Sequence, residues 1–268
     1  PTITKDFMEH PGWLSTLFLT EMWERMSYYG MRAMLVLFMT ASIQEGGLAI
    51  TVASATAIYG LYTGSVYLMG LPGGWMADRL IGGQQAVWYG GIIIMFGHIV
   101  LAIPNDYTFF IGLILVVLGT GLLKPNIGAM VGQLYASDDN RRDSGYTLYY
   151  LGINLGSVIG YAVCGYLRIN NGWHWAFGAA AVGMAIGLVL YKLTLSKLDG
   201  AGAEPTVKLS PKAAKISWSI IGLFLLAVVV VAYMLMNNLM AFNAVVVAQK
   251  FAILATVLFL GYFAAIFF

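Results

Sequence analysis

Apolar residues along this chain come in runs of roughly twenty, the length a helix needs to cross the ~30 Å hydrocarbon core of a bilayer, and short polar breaks separate them. Windows of that length place spans over 12–42, 49–76, 85–103, 107–130, 143–167 and 173–195, then over 214–238 and 243–268. Between the two groups lies SKLDGAGAEPTVKLSPKAAK, which mixes Gly, Pro and charge as a boundary segment does. The pattern predicts an all-α membrane protein: a six-helix bundle over 1–195, a cytoplasmic linker over 196–213 and two additional transmembrane helices over 214–268.

Composition agrees, with 60% hydrophobic and 10% charged residues and a mean hydropathy of +0.80. The net charge of +2 is dispersed, with no basic stripe, which argues against nucleic acid and leaves lipid and something small as partners. A single cysteine, Cys164, in an apolar stretch excludes an intrachain disulfide and a Cys/His metal framework. The opening PTITKDFMEHPGW lacks the basic patch and short apolar core of a cleavable signal, so the first helix is expected to be retained.

Basic residues orient the spans, because short cytoplasmic loops carry an excess of Lys and Arg. If the spans alternate, Lys5, Arg79, Arg141, Arg142, Lys192, Lys197, Lys208, Lys212 and Lys215 share the side of the N-terminus, against Arg168 and Lys250 on the other. The N-terminus, linker and C-terminal end are thus expected inside. Many of the 32 glycines fall at small-residue spacing, as in LGINLGSVIGYAVCG, where backbones can approach closely in lipid. Pro72 and Pro125 mark candidate kinks.

The first span contains EMWERMSYYG. On a helix Glu21, Arg25, Tyr28, Tyr29 and Arg32 share one face with Glu24 at its flank. A charge at the bilayer centre costs at least ~2.5–3.5 kcal/mol, so this face cannot meet lipid. A structural Glu21–Arg25 pair would account for part of it; an aqueous cavity accounts for all, with the arginines holding an anion and a glutamate exchanging a proton. Lys124 in GTGLLKPNIG is a further intramembrane cation, which either snorkels to the cytoplasmic side or faces the first helix and competes with Arg25 for the glutamates. Tyr150 and Asn154 in YYLGINLG share a face that can orient a polar ligand or bond another helix, and Tyr67 is a weaker candidate. Asp78 and Arg79 in GGWMADRLIGG form a candidate conformational latch between the second and third spans, where a tight turn is expected. No nucleophile–base pair, metal spacing or phosphate-cradling loop appears, and His10, His98 and His174 are scattered, so no enzyme is expected.

These motifs carry a resemblance. EMWERMSYYG resembles the ExxER first-helix motif of the proton-dependent oligopeptide transporter family, the peptide transporter family of the major facilitator superfamily. GGWMADRLIGG is similar to its loop between the second and third helices, YYLGINLG to its fifth-helix signature, and the pair after the linker to the helices that bacterial members insert between their halves. Met26 and Tyr149 stand where Phe is usual. The resemblance implies proton symport of di- and tripeptides by alternating access, with no cofactor beyond the proton as coupling ion, in a multi-pass protein of the bacterial inner membrane with its N-terminus cytoplasmic.

Carried over residue by residue, it assigns proton coupling to Glu21, Glu24, Arg25 and Lys124. It places Arg25, Arg32 and Lys124 near the peptide carboxylate, and Tyr29, Tyr67, Tyr150 and Asn154 around the peptide backbone and amino end. Nothing here corresponds to the family's C-terminal six-helix half, so the chain is expected to be an N-terminal half that does not transport alone. The alternatives are a proton-coupled transporter of nitrate or another small anion, and a non-transporting membrane scaffold whose polar face binds a partner helix.

Overall fold

The computed structural model describes residues 7–136 and 138–267; Lys5, used above for orientation, lies outside them. Helices dominate, and no strand occurs among the described residues. In chain order they are α1 (Trp13–Arg32), α2 (Leu35–Thr40), α3 (Val52–Met76), α4 (Gly83–Leu101), α5 (Asp106–Leu134), α6 (Arg142–Asn171), α7 (Trp173–Thr194), α8 (Pro211–Met236) and α9 (Ala244–Phe267). Boundaries follow local chemistry. Thr51 and Asn105 cap α3 and α5 by accepting from Ser54 N and Tyr107 N, Ser210 caps α8 ahead of Pro211, and Gly172 at φ 100° separates α6 from α7.

Six helices are long and apolar enough to cross a membrane: α4, α5, α6, α7, α8 and α9. α1 and α3 match them in length, at 20 and 25 residues, but neither contains an 18-residue stretch that is apolar and charge-poor enough. α1 is accommodated because α6 and α7 pack along it and take its charged face away from lipid.

Two expectations need correction. The first span is not one helix over 12–42: it breaks at Ala33–Met34 and resumes as α2. The break inserts Phe38 among Phe109, Trp173 and Phe177, at ring separations of 5.0, 5.6 and 5.4 Å. Residues 48–50 fold back to hydrogen-bond the carbonyls of Phe38, Ala41 and Met39. Nor is the Asp78 segment a tight turn, because residues 77–81 continue α3 as a π-helical turn and the reversal falls at Gly82, φ 82°.

Pro72 and Pro125 lie inside continuous helices. Pro125 has no N–H for the carbonyl of Gly121, and Gly73 of α3 packs against that carbonyl, so the freed oxygen is covered by protein. Asn126 secures the same crossing, donating from Nδ2 to Leu122 O at 2.6 Å and to Gly73 O at 3.4 Å.

Two apolar clusters make the core. One, near Phe38 and Phe177, begins on α1 at Tyr28; the other, near Ile127 and Tyr191, ends on α1 at Leu17. Between them α1 carries Thr20, Glu21, Glu24 and Arg25, all buried.

Small residues set the helix separations, as at the α4–α5 seam. A Cβ on Gly119 would lie 2.6 Å from Gly90 O, and one on Gly112 2.6 Å from Leu101 Cγ. Backbone cannot yield as a flexible side chain can, so Gly119→Ala is expected to cost on the order of 1–3 kcal/mol by overpacking. Gly222→Ala on α8, with nothing within 4 Å, is expected to be neutral or slightly stabilising. Thermal unfolding of the two variants in detergent checks the contrast; equal melting temperatures would refute the seam as the reason for glycine at 119.

Candidate functional site: a buried charge layer under an exposed polar face

At the middle of α1 the helical spacing brings two carboxylates to one guanidinium. Arg25 Nε lies 2.8 Å from Glu21 Oε1 and 2.5 Å from Glu24 Oε2. The three side chains are sealed, at 3%, 1% and 0% exposure. This corrects the expectation of an open aqueous cavity around them. Sealing comes from glycines: Gly156 and Gly160 let α6 close onto the backbone of Met22 and Met26, while Gly183 and Gly187 let α7 close onto Met26 and Trp23.

The contacts are charge pairs more than aligned hydrogen bonds, since Arg25 Nε makes no bond of good geometry. Glu21 Oε2 and Glu24 Oε1 are buried without a hydrogen-bond partner among the described residues. With both carboxylates ionised the trio carries one surplus negative charge. Lys124, from α5, is within electrostatic reach of Glu24. Its ammonium makes no ion pair among the described residues and instead lies over the Tyr67 ring, 4.4 Å from the centroid. The structure thus favours Lys124 facing the first helix over snorkelling.

Arg32, nearly two turns beyond Arg25, is partly exposed. Its Nε donates to the Tyr59 hydroxyl at 2.5 Å, and its guanidinium lies 6.0 Å from the Tyr28 ring. Arg25 is 5.1 Å from the same ring, so Tyr28 sits between the two cations. Tyr29 leans on Tyr28 and on Tyr161 of α6.

The remaining candidates are not drawn into this layer. Tyr67, Tyr150 and Asn154 are exposed, the first two at 66% and 58%. Asn154 Nδ2 donates to the Tyr150 carbonyl within α6. Tyr149, its neighbour, is the inward-facing member of the pair, 5% exposed and interacting with Glu21, Arg25 and Glu24. Asp78 and Arg79 lie at the far end of α3 and form no ion pair among the described residues. Arg79 stands over Trp75, 5.8 Å from its ring centroid, and the Asp78 carbonyl accepts from Val207 N of the linker at 2.9 Å.

Tyr59, Tyr62 and Asn126 were missed by sequence reasoning. Tyr59 and Tyr62 lie three apart in α3 in a run of tyrosines, which is the one signal that would have pointed to them. Asn126, adjacent to Pro125, had the same standing as any polar residue in a span.

A helical, polytopic bundle with a sealed charge layer and an exposed polar face is a multi-pass membrane protein with ionisable groups gathered in its interior, the arrangement of a functional site. Comparison with known proteins agrees: the chain belongs to the POT family of peptide transporters, whose family profile, PTR2, matches residues 84–198. The peptide transporter YePEPT of Yersinia enterocolitica is 49% identical over 192 residues, covering 70% of this chain and 37% of that protein. A di-/tripeptide transporter of Lactococcus lactis is 43% identical over 235 residues, covering 83% and 47%. A crystal structure of a peptide transporter POT in complex with sulfate superimposes with a TM-score of 0.88 at 41% identity, over 97% of this chain and 53% of the other. The chain spans about half the length of the relatives it matches.

Removing one member of a buried charge cluster leaves the others uncompensated, at a cost of about 3–5 kcal/mol. Arg25→Gln in the intact protein is expected to show a loss of that order in thermal unfolding at neutral pH. Adding Glu21→Gln to it is expected to recover part of the loss, because these neighbours couple. Additive losses in the double variant would show that the trio is not an electrostatic unit.

Proposed function

We propose that the intact protein is a proton-coupled symporter of di- and tripeptides in the bacterial inner membrane, with its N-terminus cytoplasmic, and that this chain supplies the N-terminal wall of the transport path. The observation that carries the reading is one guanidinium shared by two carboxylates at mid-depth, with Lys124 nearby and uncommitted to an ion pair.

The chemistry follows from charge balance. A proton on Glu21 or Glu24 neutralises the surplus negative charge of the trio and loosens its hold on the neighbouring cations. Lys124 and Arg32, held by phenols rather than carboxylates, are then the cations available to a peptide carboxylate. The exposed Tyr67, Tyr150 and Asn154, together with Tyr29, supply hydroxyl and amide groups for the backbone and amino end. Loss of the proton restores the surplus charge and competes with the carboxylate for the cations, which ties proton release to peptide release. Alternating access then requires a second bundle rocking against this one, and Asp78 and Arg79 stand where a latch between helix ends would engage.

The names of the relatives support the substrate class: YePEPT is called a peptide transporter and the lactococcal protein a di-/tripeptide transporter. The test uses the intact polypeptide in proteoliposomes. Glu21→Gln and Glu24→Gln are each expected to lower uptake of a dipeptide driven by an inward proton gradient by at least ~10-fold, the loss of about 1.4 kcal/mol of coupling. Exchange of labelled for unlabelled dipeptide without a gradient is expected to fall less. Undiminished gradient-driven uptake in both variants would sink the assignment.

A further inference from the structure

A second site lies away from the charge layer. Helices α3, α5, α8 and the start of α9 enclose a cavity of about 990 Å³, at the upper end of the ~300–1,000 Å³ typical of small-molecule sites. Its two ends differ in chemistry. At one end stand Asp106 and Tyr107 at the start of α5 with Asn238 and Asn243 of the α8–α9 connection. Deeper, the walls are apolar, with Phe110 and Val117 of α5 facing Phe224 and Val228 of α8.

The lining runs along α5 from Asp106 to Leu118, about 18 Å at 1.5 Å per residue. That is slightly more than one leaflet's share of the ~30 Å hydrocarbon core. The polar end therefore falls at a membrane interface and the apolar end near the midplane. α8 has no buried residue, and the residues it turns to the cavity, from Phe224 to Met236, are all apolar.

We propose that this cavity holds an acyl chain of an amine-headed phospholipid from the adjoining leaflet, with the ammonium group at Asp106. The commitment to an amine rests on charge: Asp106 is the one ionisable carboxylate among the lining residues, no Lys or Arg accompanies it, and the other polar lining residues, Ser54, Tyr62, Ser65, Tyr107, Asn238 and Asn243, are uncharged hydroxyls and amides. An anionic headgroup would meet an uncompensated carboxylate there, whereas an ammonium gains a partner and the amides serve phosphate and ester oxygens. The cavity also borders the charge layer, because Tyr62 lines it while interacting with Tyr28 and Glu24 on its other side. A chain seated against Tyr62 therefore packs on the same phenol that backs the α1 charges.

The test is photolabelling of the intact protein, delipidated in detergent. Phosphatidylethanolamine and phosphatidylglycerol with identical acyl chains, each carrying a diazirine on the chain, serve as separate probes. The ethanolamine lipid is expected to label residues 110–118 and 224–232 at least ~5-fold more than the glycerol lipid. Asp106→Asn is expected to remove that preference without reducing the glycerol lipid's labelling, and Val228→Trp, which fills the apolar end, to abolish labelling by both with an unchanged melting temperature. Equal labelling by the two lipids in the unmodified protein, or labels outside those segments, would overturn the proposal. So would a cross-link from a photoreactive residue at position 228 to another helix of the same polypeptide, because the cavity would then be filled by protein.

Discussion

The contact on which the rest of this bundle depends is Arg25 between Glu21 and Glu24. Three charges at the centre of a membrane helix are tolerable only when they compensate one another and exclude lipid, so every helix that touches α1 at this level must come close. That need explains where the glycines fall. Gly156 and Gly160 of α6 meet the backbone of Met22 and Met26, and Gly183 and Gly187 of α7 meet the side chains of Met26 and Trp23. A larger residue at any of these would hold a neighbouring helix off and open the trio to hydrocarbon. The charges therefore dictate the small-residue stripes, and the stripes set the helix separations.

The same layer divides the apolar core. From α1, Tyr28, Tyr29 and Met31 belong to one hydrophobic cluster, and Trp13, Leu14 and Leu17 to the other. Each cluster is a packed unit with little room to deform, while the layer between them is held by electrostatic contacts that change with the protonation of a single oxygen. Under the proposed function, binding or losing a proton acts at the one level where the two packed ends of the bundle can adjust relative to each other.

How far the sequence could be read depended on whether the partners of a residue were near it in the chain. The Glu21–Arg25 pair is an i, i+4 contact, visible in the spacing alone, and the cost of charge in lipid required its face to turn inward; that protein seals it in place of an aqueous cavity depends on glycines of α6 and α7, far along the chain. The break at Ala33–Met34 was invisible because neither residue opposes helix; it arises where α2 must turn to seat Phe38 against Phe109 and Phe177, rings more than seventy residues away. Likewise the choice between Tyr149 and Tyr150 turns on which side of α6 meets α1, a tertiary fact that two adjacent tyrosines do not encode. The flanking glycines of the Asp78 segment suggested a turn, and only Gly82, with its positive φ, provides one.

α3 shows how the charges are distributed as well as contained. It contributes no ion to the layer, yet its phenols hold Arg32 and Lys124, neither of which has an ion pair among the described residues: Tyr59 accepts from Arg32, and Tyr67 lies beneath Lys124. A carboxylate at either position would neutralise its cation and compete with any anionic ligand, whereas a phenol orients the cation and leaves its charge uncancelled. Contacts of this kind are worth about 0.5–2 kcal/mol, enough to fix a rotamer and too little to resist an incoming carboxylate. Arg25 is in the opposite situation, locked by two carboxylates and unable to leave without a proton taking its place. Of these three cations, Arg25 is committed to holding the bundle together while Arg32 and Lys124 keep their charge uncancelled, and the difference is that Arg25 meets carboxylates of its own helix and the other two meet phenols of α3.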